Sequence, residues 1–292
     1  MTVSTLASAR PTLRQRLMAP GLLVAPGVYD MVSARVAENV GFDALYMTGF
    51  GIVASHLGLP DAGIATYSDM VGRVRTIAEG TRVPLIADGD TGYGGLLNVD
   101  HSVRGYEAAG AAAIQLEDQE FPKKCGHTLG RRVVPLNDAV ARIKVAVQAR
   151  TSKDFLIVAR TDARTSLGLD EALRRGEAFL QAGADVLFIE SPESVEEMEK
   201  IGRSFDAPLL ANLVEGGRTP ILSRNDLEGF AGAGFHRAVI SGPLCWRGVL
   251  SESLRNGIAL GNRFVHHHFV LSGRCSFVLS IREQGRGSAR IG

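Results

Sequence analysis

Two aspartates stand two residues apart in the stretch PLIADGDTGYGG, at positions 88 and 90. On an extended chain that spacing turns both carboxylates to the same side. Glu117 closes the next apolar run, AAAIQLE, and can face the same centre. Converging carboxylates repel one another and rise in pKa unless a cation joins them. A hard divalent ion resolves the repulsion, and Mg2+ takes a few carboxylates while keeping places for water and substrate oxygens. The bland alternative is that Asp90 and Thr91 only cap a turn at TGYGG, which leaves Asp88 and Glu117 unexplained.

The cations come from Arg160 and from PKKCGHTLG at 122–130. An arginine at a strand end can clamp a substrate carboxylate with two parallel hydrogen bonds, or simply pair with Asp162 or Glu190. For Cys125, neighbouring Lys123, Lys124 and His127 would favour the thiolate and lower the thiol pKa. A lone cysteine is otherwise a small buried hydrophobe, but this stretch is too polar for a core. Zinc held by Cys125 and His127 lacks a second Cys/His pair at suitable spacing. The triplet His266–His268 reads as solvated, and the chain has neither a Walker A loop nor a G-x-S-x-G elbow.

The elements that must position these residues are legible as short, nearly continuous apolar runs. They are Leu22–Ala25, Ala44–Met47, Leu85–Ala87, Ala113–Leu116, Phe155–Ala159, Val186–Ile189, Leu209–Ala211 and Ala238–Ile240. Such runs suit strands buried on both faces of a parallel sheet. Helical periodicity fills Ser102–Ala109, Asn137–Ala149 and Leu169–Gln181 between them. Gly41, Gly110, Gly183 and Gly234 each precede a strand by a few residues and read as helix stops. The alternation predicts one α/β domain, a (β/α)8 TIM barrel over 21–250, behind a helical lead-in at 1–20 in which Thr12 caps TLRQRLMAP. After the first strand stands APGVYD, which is no dinucleotide-binding fingerprint, so an open doubly wound sheet is disfavoured.

A barrel presents its chemistry at the C-terminal ends of its strands. Those ends carry Tyr46 and Thr48, Asp88 and Asp90, Glu117 and Asp118, Arg160 and Asp162, Glu190, and Asn212 with Glu215. The 292 residues hold 32 basic against 31 acidic side chains, so charge gives no reason to expect nucleic acid or an anionic membrane as partner. No apolar run approaches the roughly 20 residues of a membrane helix. Three scattered cysteines, Cys125, Cys245 and Cys275, make no disulfide framework, and a reducing cytoplasm is the default location. The N-terminus carries three arginines before its first acidic residue, faintly like a transit segment. The segment 251–292 lacks clear helical periodicity and ends in a polar, basic tail.

Several separated motifs together resemble the isocitrate lyase/phosphoenolpyruvate mutase superfamily over roughly residues 12–250. They are YMTGFG (46–51), LGLPDAG (57–63), ADGDTGYG (87–94), LEDQ (116–119), KKCGH (123–127), ARTDAR (159–164) and NLVEGGRTP (212–220). KKCGH after LEDQ is similar to the lyase-like branch, the group of 2-methylisocitrate lyase, dimethylmalate lyase, petal-death protein and carboxyphosphonoenolpyruvate mutase. The resemblance implies a barrel whose last helix is exchanged between subunits of a homo-oligomer, tetramer or dimer. It implies one Mg2+, with Mn2+ as a substitute, bound directly by Asp90 and through water by Asp61, Asp88 and Glu117. Tyr46, Thr48 and Gly49 would hold the keto-acid end of a small carboxylate substrate. Arg160 would stabilise an enolate, Glu190 and Asn212 would complete the pocket, and Lys123, Cys125, Gly126 and His127 would ride on a gating loop.

Three positions depart from the family pattern. Thr48 stands where serine is common, and Gly89 where alanine is usual. Gln115 stands where 2-methylisocitrate lyases often carry histidine. Beyond about Gly234 the family's long helical region is not evident. The implied activity is Mg2+-dependent cleavage of a 2-hydroxy di- or tricarboxylate, such as 2-methylisocitrate or dimethylmalate, to a 2-oxo acid through an enolate. Carboxyphosphonoenolpyruvate mutase and oxaloacetate hydrolase or decarboxylase activities fit the same motifs, and so does a non-catalytic keto-acid-binding barrel.

Overall fold

The computed structural model describes residues 11–223, 226–227, 238–243, 268–269 and 279–280. Eight parallel strands follow one another around a closed barrel. They are β1 (Leu23–Val28), β2 (Leu45–Met47), β3 (Leu85–Asp88), β4 (Ala113–Glu117), β5 (Leu156–Thr161), β6 (Val186–Ile189), β7 (Leu209–Asn212) and β8 (Ala238–Pro243). Closure is made by β8, which pairs with β7 through Leu209↔Ala238 and with β1 through Leu23↔Val239.

Around the sheet lie α2 (Met31–Val40), α4 (Tyr67–Gly80), α5 (Leu96–Ala108), α6 (Leu136–Ala149), α8 (Leu169–Gln181) and α9 (Val195–Ser204). Short α3 (Gly49–Ile52), running into a π turn at Val53–Leu57, and α7 (Ala163–Leu167) leave the ends of β2 and β5. The expected helix stops at Gly41, Gly110 and Gly183 all take positive φ, 99°, 93° and 99°, which glycine adopts without a Cβ penalty. Gly234 lies outside the described residues.

Strand alternation sorts the side chains into two shells. Leu45, Met47, Leu85, Ala87, Ile114, Leu116, Ile157 and Ala159 face outward to the helices. Ala44, Tyr46, Ile86, Ala113, Leu156, Val158, Phe188 and Leu210 form a separate interior cluster. Counting on by two from the interior positions reaches Asp88, Gln115, Glu117, Arg160, Glu190 and Asn212. The polar residues at the strand exits are therefore continuations of the inward face. The other end is plugged by α1 (Leu13–Met18), whose Leu13 and Leu17 join the interior cluster. Thr12 and Gln15 form its capping box, as the lead-in predicts.

Four strands run one or two residues past their apolar stretch, taking in Asp88, Glu117, Arg160 with Thr161, and Asn212. Pairing continues there because neighbouring backbones stay in register, as at Glu117↔Arg160. Residues Met1–Val249 form one compact unit and Leu250–Gly292 another. Of the second unit, the described residues make one antiparallel pair, His268–Phe269 with Leu279–Ser280. The expected helix exchange lies outside the described residues. Among those described, no helix is long and apolar enough to cross a membrane.

Gly89, the residue directly after β3, faces Ile114 and Gln115 rather than the two aspartates, and the space there is filled. A Cβ there would lie 2.8 Å from Ile114 Cδ1 and 2.9 Å from the Gln115 carbonyl oxygen. Gly89→Ala should destabilise the chain by about 1–3 kcal/mol through overpacking, with Ile114→Val recovering part of the loss. Urea unfolding midpoints measure both; an unchanged midpoint for Gly89→Ala contradicts the packing described.

Candidate active site

At the end of β3, Asp88 is fixed by three donors. Asp90 N–H and Gln115 Nε2 donate to Oδ1 at 3.0 and 3.2 Å, and Gly49 N–H donates to Oδ2 at 3.2 Å. A Cβ on Gly49 would come within 2.6 Å of that Oδ2, so glycine is what lets the β2 exit approach Asp88. The Gly49 amide is thereby engaged, and Thr48 Oγ1 caps Gly51 N–H over 3.4 Å. Beneath Asp88, Tyr106 donates to its carbonyl oxygen at 3.0 Å and shares a 2.7 Å hydrogen bond with Tyr93.

Asp90 follows in a left-handed conformation, φ 48°. Its Oδ1 lies 2.6 Å from Lys123 Nζ, which is also 2.6 Å from Asp61 Oδ1. Burial pushes the Asp90 carboxyl up to about 6, with Lys123 opposing and Asp88 and Asp61 reinforcing the rise. Burial alone would lower Lys123, but Asp90, Glu117, Asp61 and Asp88 hold it well above its ordinary value. Lys123 is only 3% exposed. Charge in a polar stretch suggested surface; here the ammonium is buried because its carboxylate partners are.

Arg160 is the second cationic centre. It grips Asp162 with two 2.9 Å hydrogen bonds from Nε and Nη2. Its Nη1 lies 3.3 Å from Glu117 Oε2 and its Nη2 3.4 Å from Glu190 Oε2. Of the two expectations for Arg160, the ion pair is the one seen, with the guanidinium also lying over the Phe188 ring. Burial would raise Asp162, yet Arg160 and Arg131, the latter bonded at 2.7 Å, hold it below its usual range. Burial raises Glu117 well above the carboxylate range against the pull of Arg160.

The loop after Glu117 closes over these groups. Gln119 holds the Lys124 backbone at both its N–H (3.0 Å) and C=O (2.9 Å), and Cys125 N–H donates to Asp61 O at 3.1 Å. Gly126 passes so near the floor that a Cβ would lie 2.7 Å from Glu190 Oε2. His127 Nδ1 accepts the Arg218 N–H at 3.4 Å, while its Nε2 lies 3.4 Å from Asn212 Nδ2 and 3.9 Å from Glu190 Oε1. Burial pulls the His127 pKa down, with Glu190 resisting.

Cys125 corrects an expectation. Its flanking cations do not produce a thiolate: burial pushes the thiol pKa up, the His127 N–H and the charges of Arg160 and Lys123 oppose this, and Asp61 adds to the rise. The Lys124 ammonium turns away to the Gly130 carbonyl at 3.2 Å.

Among the described residues, no three His, Cys, Asp or Glu side chains are grouped to hold an ion between them. The chemistry of Asp90, Asp61, Asp88 and Glu117 fits a hard cation with one direct carboxylate and others around it. Asp61, Asp88, Asp90, Glu117, Asp162 and Glu190 are six carboxylates against the three cations Lys123, Arg160 and Arg131. Glu117 Oε1 is buried with no hydrogen-bond donor.

Sequence reasoning missed Ser191, Arg131 and Arg175. Ser191 sits in a left-handed conformation, φ 58°, and its hydroxyl donates to Gly126 O at 3.0 Å, joining the end of β6 to the loop. Its N–H donates to Glu190 Oε1 at 2.9 Å. Arg175 reaches from α8 to Asp118, 2.9 Å away, which also receives Thr161 Oγ1 and Asp162 N–H. Ser191 follows a strand end and could have been flagged by its polarity, whereas Arg131 in the loop and Arg175 in mid-helix carry no local signal.

The sequence model of the phosphoenolpyruvate phosphomutase family matches residues 13–257. The chain is 54% identical over 216 residues to 2,3-dimethylmalate lyase of Eubacterium barkeri, covering 74% of this chain and 75% of the relative. Among solved structures it resembles oxaloacetate acetylhydrolase bound to 3,3-difluorooxalacetate, with TM-score 0.77 and 38% identity over 85% of this chain and 84% of the other. It also resembles phosphonopyruvate hydrolase in complex with oxalate and Mg2+, with TM-score 0.67 and 33% identity over 81% and 80% of the two chains. A barrel with this arrangement of acidic strand ends under a KKCGH loop, at this level of identity, belongs to the phosphoenolpyruvate mutase/isocitrate lyase superfamily, among its carbon–carbon lyases.

Proposed function

We propose that the chain cleaves a substituted 2-hydroxy dicarboxylate of the 2,3-dimethylmalate kind into a 2-oxo acid and a carboxylate. The observation that carries this reading is the position of Cys125: its backbone N–H donates to Asp61 O, its neighbour Gly126 lies against Arg160 and Glu190, and burial raises the pKa of its thiol. A protonated thiol in that place is a general acid for carbon. The identity to 2,3-dimethylmalate lyase supports the substrate class.

In this reading Asp90, with Asp61, Asp88 and Glu117 around it, would hold Mg2+, with Mn2+ as substitute. The ion would supply Lewis-acid polarisation of the substrate's oxygens. Tyr46 and the β2 exit at Thr48 and Gly49 receive the oxygen-bearing end of the substrate. When the bond between C2 and C3 breaks, the C2 hydroxyl passes its proton to a carboxylate of the Asp61, Asp88, Asp90 and Glu117 group and its oxygen becomes the carbonyl of the 2-oxo acid, while the bonding pair passes to the departing fragment as an enediolate. Arg160 stabilises that charge, and its bonds to Asp162 keep the guanidinium in place without reorganisation. Cys125 Sγ–H then gives its proton to the carbanionic carbon. Glu190, His127 and Asn212 close the wall, while Lys123 and Gly126 seat the loop and exclude water.

A second reading, cleavage of oxaloacetate, is favoured by the likeness to oxaloacetate acetylhydrolase. Assay of 2-oxo acid release across substituted malates and isocitrates, beside oxalate release from oxaloacetate, separates the two. The lyase reading expects 2-oxo acid from a substituted malate; oxalate as the sole product would replace it with the second reading.

Cys125→Ser should lower turnover by about 10²–10⁴-fold, the usual worth of a placed acid. Binding of the 2-oxo acid should persist, since the loop's backbone anchors do not involve sulfur. Near-normal turnover by the variant removes the acid role. EDTA should abolish activity and Mg2+ or Mn2+ restore it; full activity in EDTA contradicts the cation requirement.

The pH dependence follows from the raised thiol. A pKa above the ordinary value of about 8.5 leaves Cys125 protonated throughout neutral pH. Cleavage should therefore hold level from about pH 7 to 8.5 and fall only at higher pH, as the acid is lost. Condensation, which needs the thiolate, should instead rise over that alkaline range. A cleavage profile that collapses below pH 8 would falsify this assignment.

A further inference from the structure

Gln115 is fully buried between two residues of the site. Its Nε2 donates to Asp88 Oδ1 at 3.2 Å, and its Oε1 accepts the proton of the Tyr46 hydroxyl. The amide has only one workable orientation. Turned over, its oxygen would face the Asp88 carboxylate, whose two oxygens already accept from Asp90 N–H and Gly49 N–H. Asp88 therefore fixes Gln115, and Gln115 fixes the direction of the Tyr46 proton.

A phenol has one proton to give and lone pairs to receive with. With its proton committed to Gln115, Tyr46 offers only lone pairs to any other group beside it. Burial, reinforced by Asp88, holds the Tyr46 pKa far above neutrality, so the phenol keeps that proton. Tyr46 belongs to the barrel interior, on the inward face that leads to the floor carboxylates.

We infer that Tyr46 reads the oxidation state of the substrate's C2 oxygen, with Gln115 as the positioning residue that sets its polarity. A C2 hydroxyl can donate to the Tyr46 oxygen. A C2 carbonyl meets a lone pair with a lone pair and gains nothing. The site thus favours a hydroxy acid over the oxo acid of the same carbon skeleton, and it weakens its hold on the 2-oxo product once the bond has broken. Sites built around a hydrogen bond to a substrate hydroxyl discriminate strongly against analogues that cannot make it. This inference rests on the lyase reading for the presence of the substrate end at Tyr46, and goes beyond it in the direction of the preference.

The test uses malate and oxaloacetate, which differ only at C2, titrated calorimetrically with Mg2+ into the full chain carrying Cys125→Ser to suppress turnover. The unaltered Gln115–Tyr46 pair should bind malate about tenfold more tightly than oxaloacetate, the worth of one good hydrogen bond. Adding Tyr46→Phe should weaken malate by about that factor and leave oxaloacetate unchanged. Adding Gln115→Met instead frees the Tyr46 proton and should strengthen oxaloacetate relative to malate. A structural role alone would move both ligands together. Equal affinities before substitution, or parallel losses in both variants, overturn the inference and leave the lyase reading standing. Binding of neither ligand to the starting protein, with circular dichroism showing it folded, sinks both.

Discussion

The Lys123 ammonium, buried between Asp61 and Asp90, is the interaction on which the rest of the site depends. An isolated carboxylate in such surroundings gives up its charge, because desolvation costs far more than a distant countercharge returns. Asp90 is already driven up to about 6 with Lys123 in contact. Without that contact the loop at 122–127 would lose its strongest tie to the barrel, and Asp61 and Asp90 would face each other uncompensated. The cysteine that follows two residues later is carried into place by the same anchor.

The barrel supplies the complementary constraint. Its alternation sends every second residue inward, so the positions that pack the interior as Ile86, Val158 and Phe188 continue upward as Asp88, Arg160 and Glu190. A fold that builds its core this way must put whatever follows the core at a common focus. Arg160 and Asp162 turn that focus into a rigid floor, since the bidentate bond and the Arg131 contact leave the guanidinium little freedom. Rigidity below and a tethered loop above suit the proposed carbanion chemistry, which asks for fixed positive charge where negative charge develops and for no competing water.

Much of this was legible in the sequence. The strands were visible as apolar runs, and the glycines at 41, 110 and 183 marked the helix stops because only a left-handed residue fits there. The inward set was visible too, as polar residues directly after those runs. The loop was harder. PKKCGH reads as exposed because lysine rarely goes inside unpaired, and nothing local shows that Asp61 and Asp90 come to meet Lys123. The thiol was misjudged for the same reason: near neighbours in sequence suggested cations around it, whereas burial, a property of the assembled fold, sets its pKa. Ser191 was marked only by its polarity after β6, and its role depends on a left-handed backbone that serine seldom adopts.

In the proposed cleavage, Cys125 delivers a proton to carbon from one side. Cleavage of 2,3-dimethylmalate in deuterated water, followed by NMR of the carboxylate product, tests this most directly. Delivery from the Cys125 thiol, which exchanges with solvent, predicts propionate carrying a single deuterium at C2 in one configuration, formed in equal amount with pyruvate. Propionate labelled equally on both faces, or a reaction that yields no propionate, contradicts it.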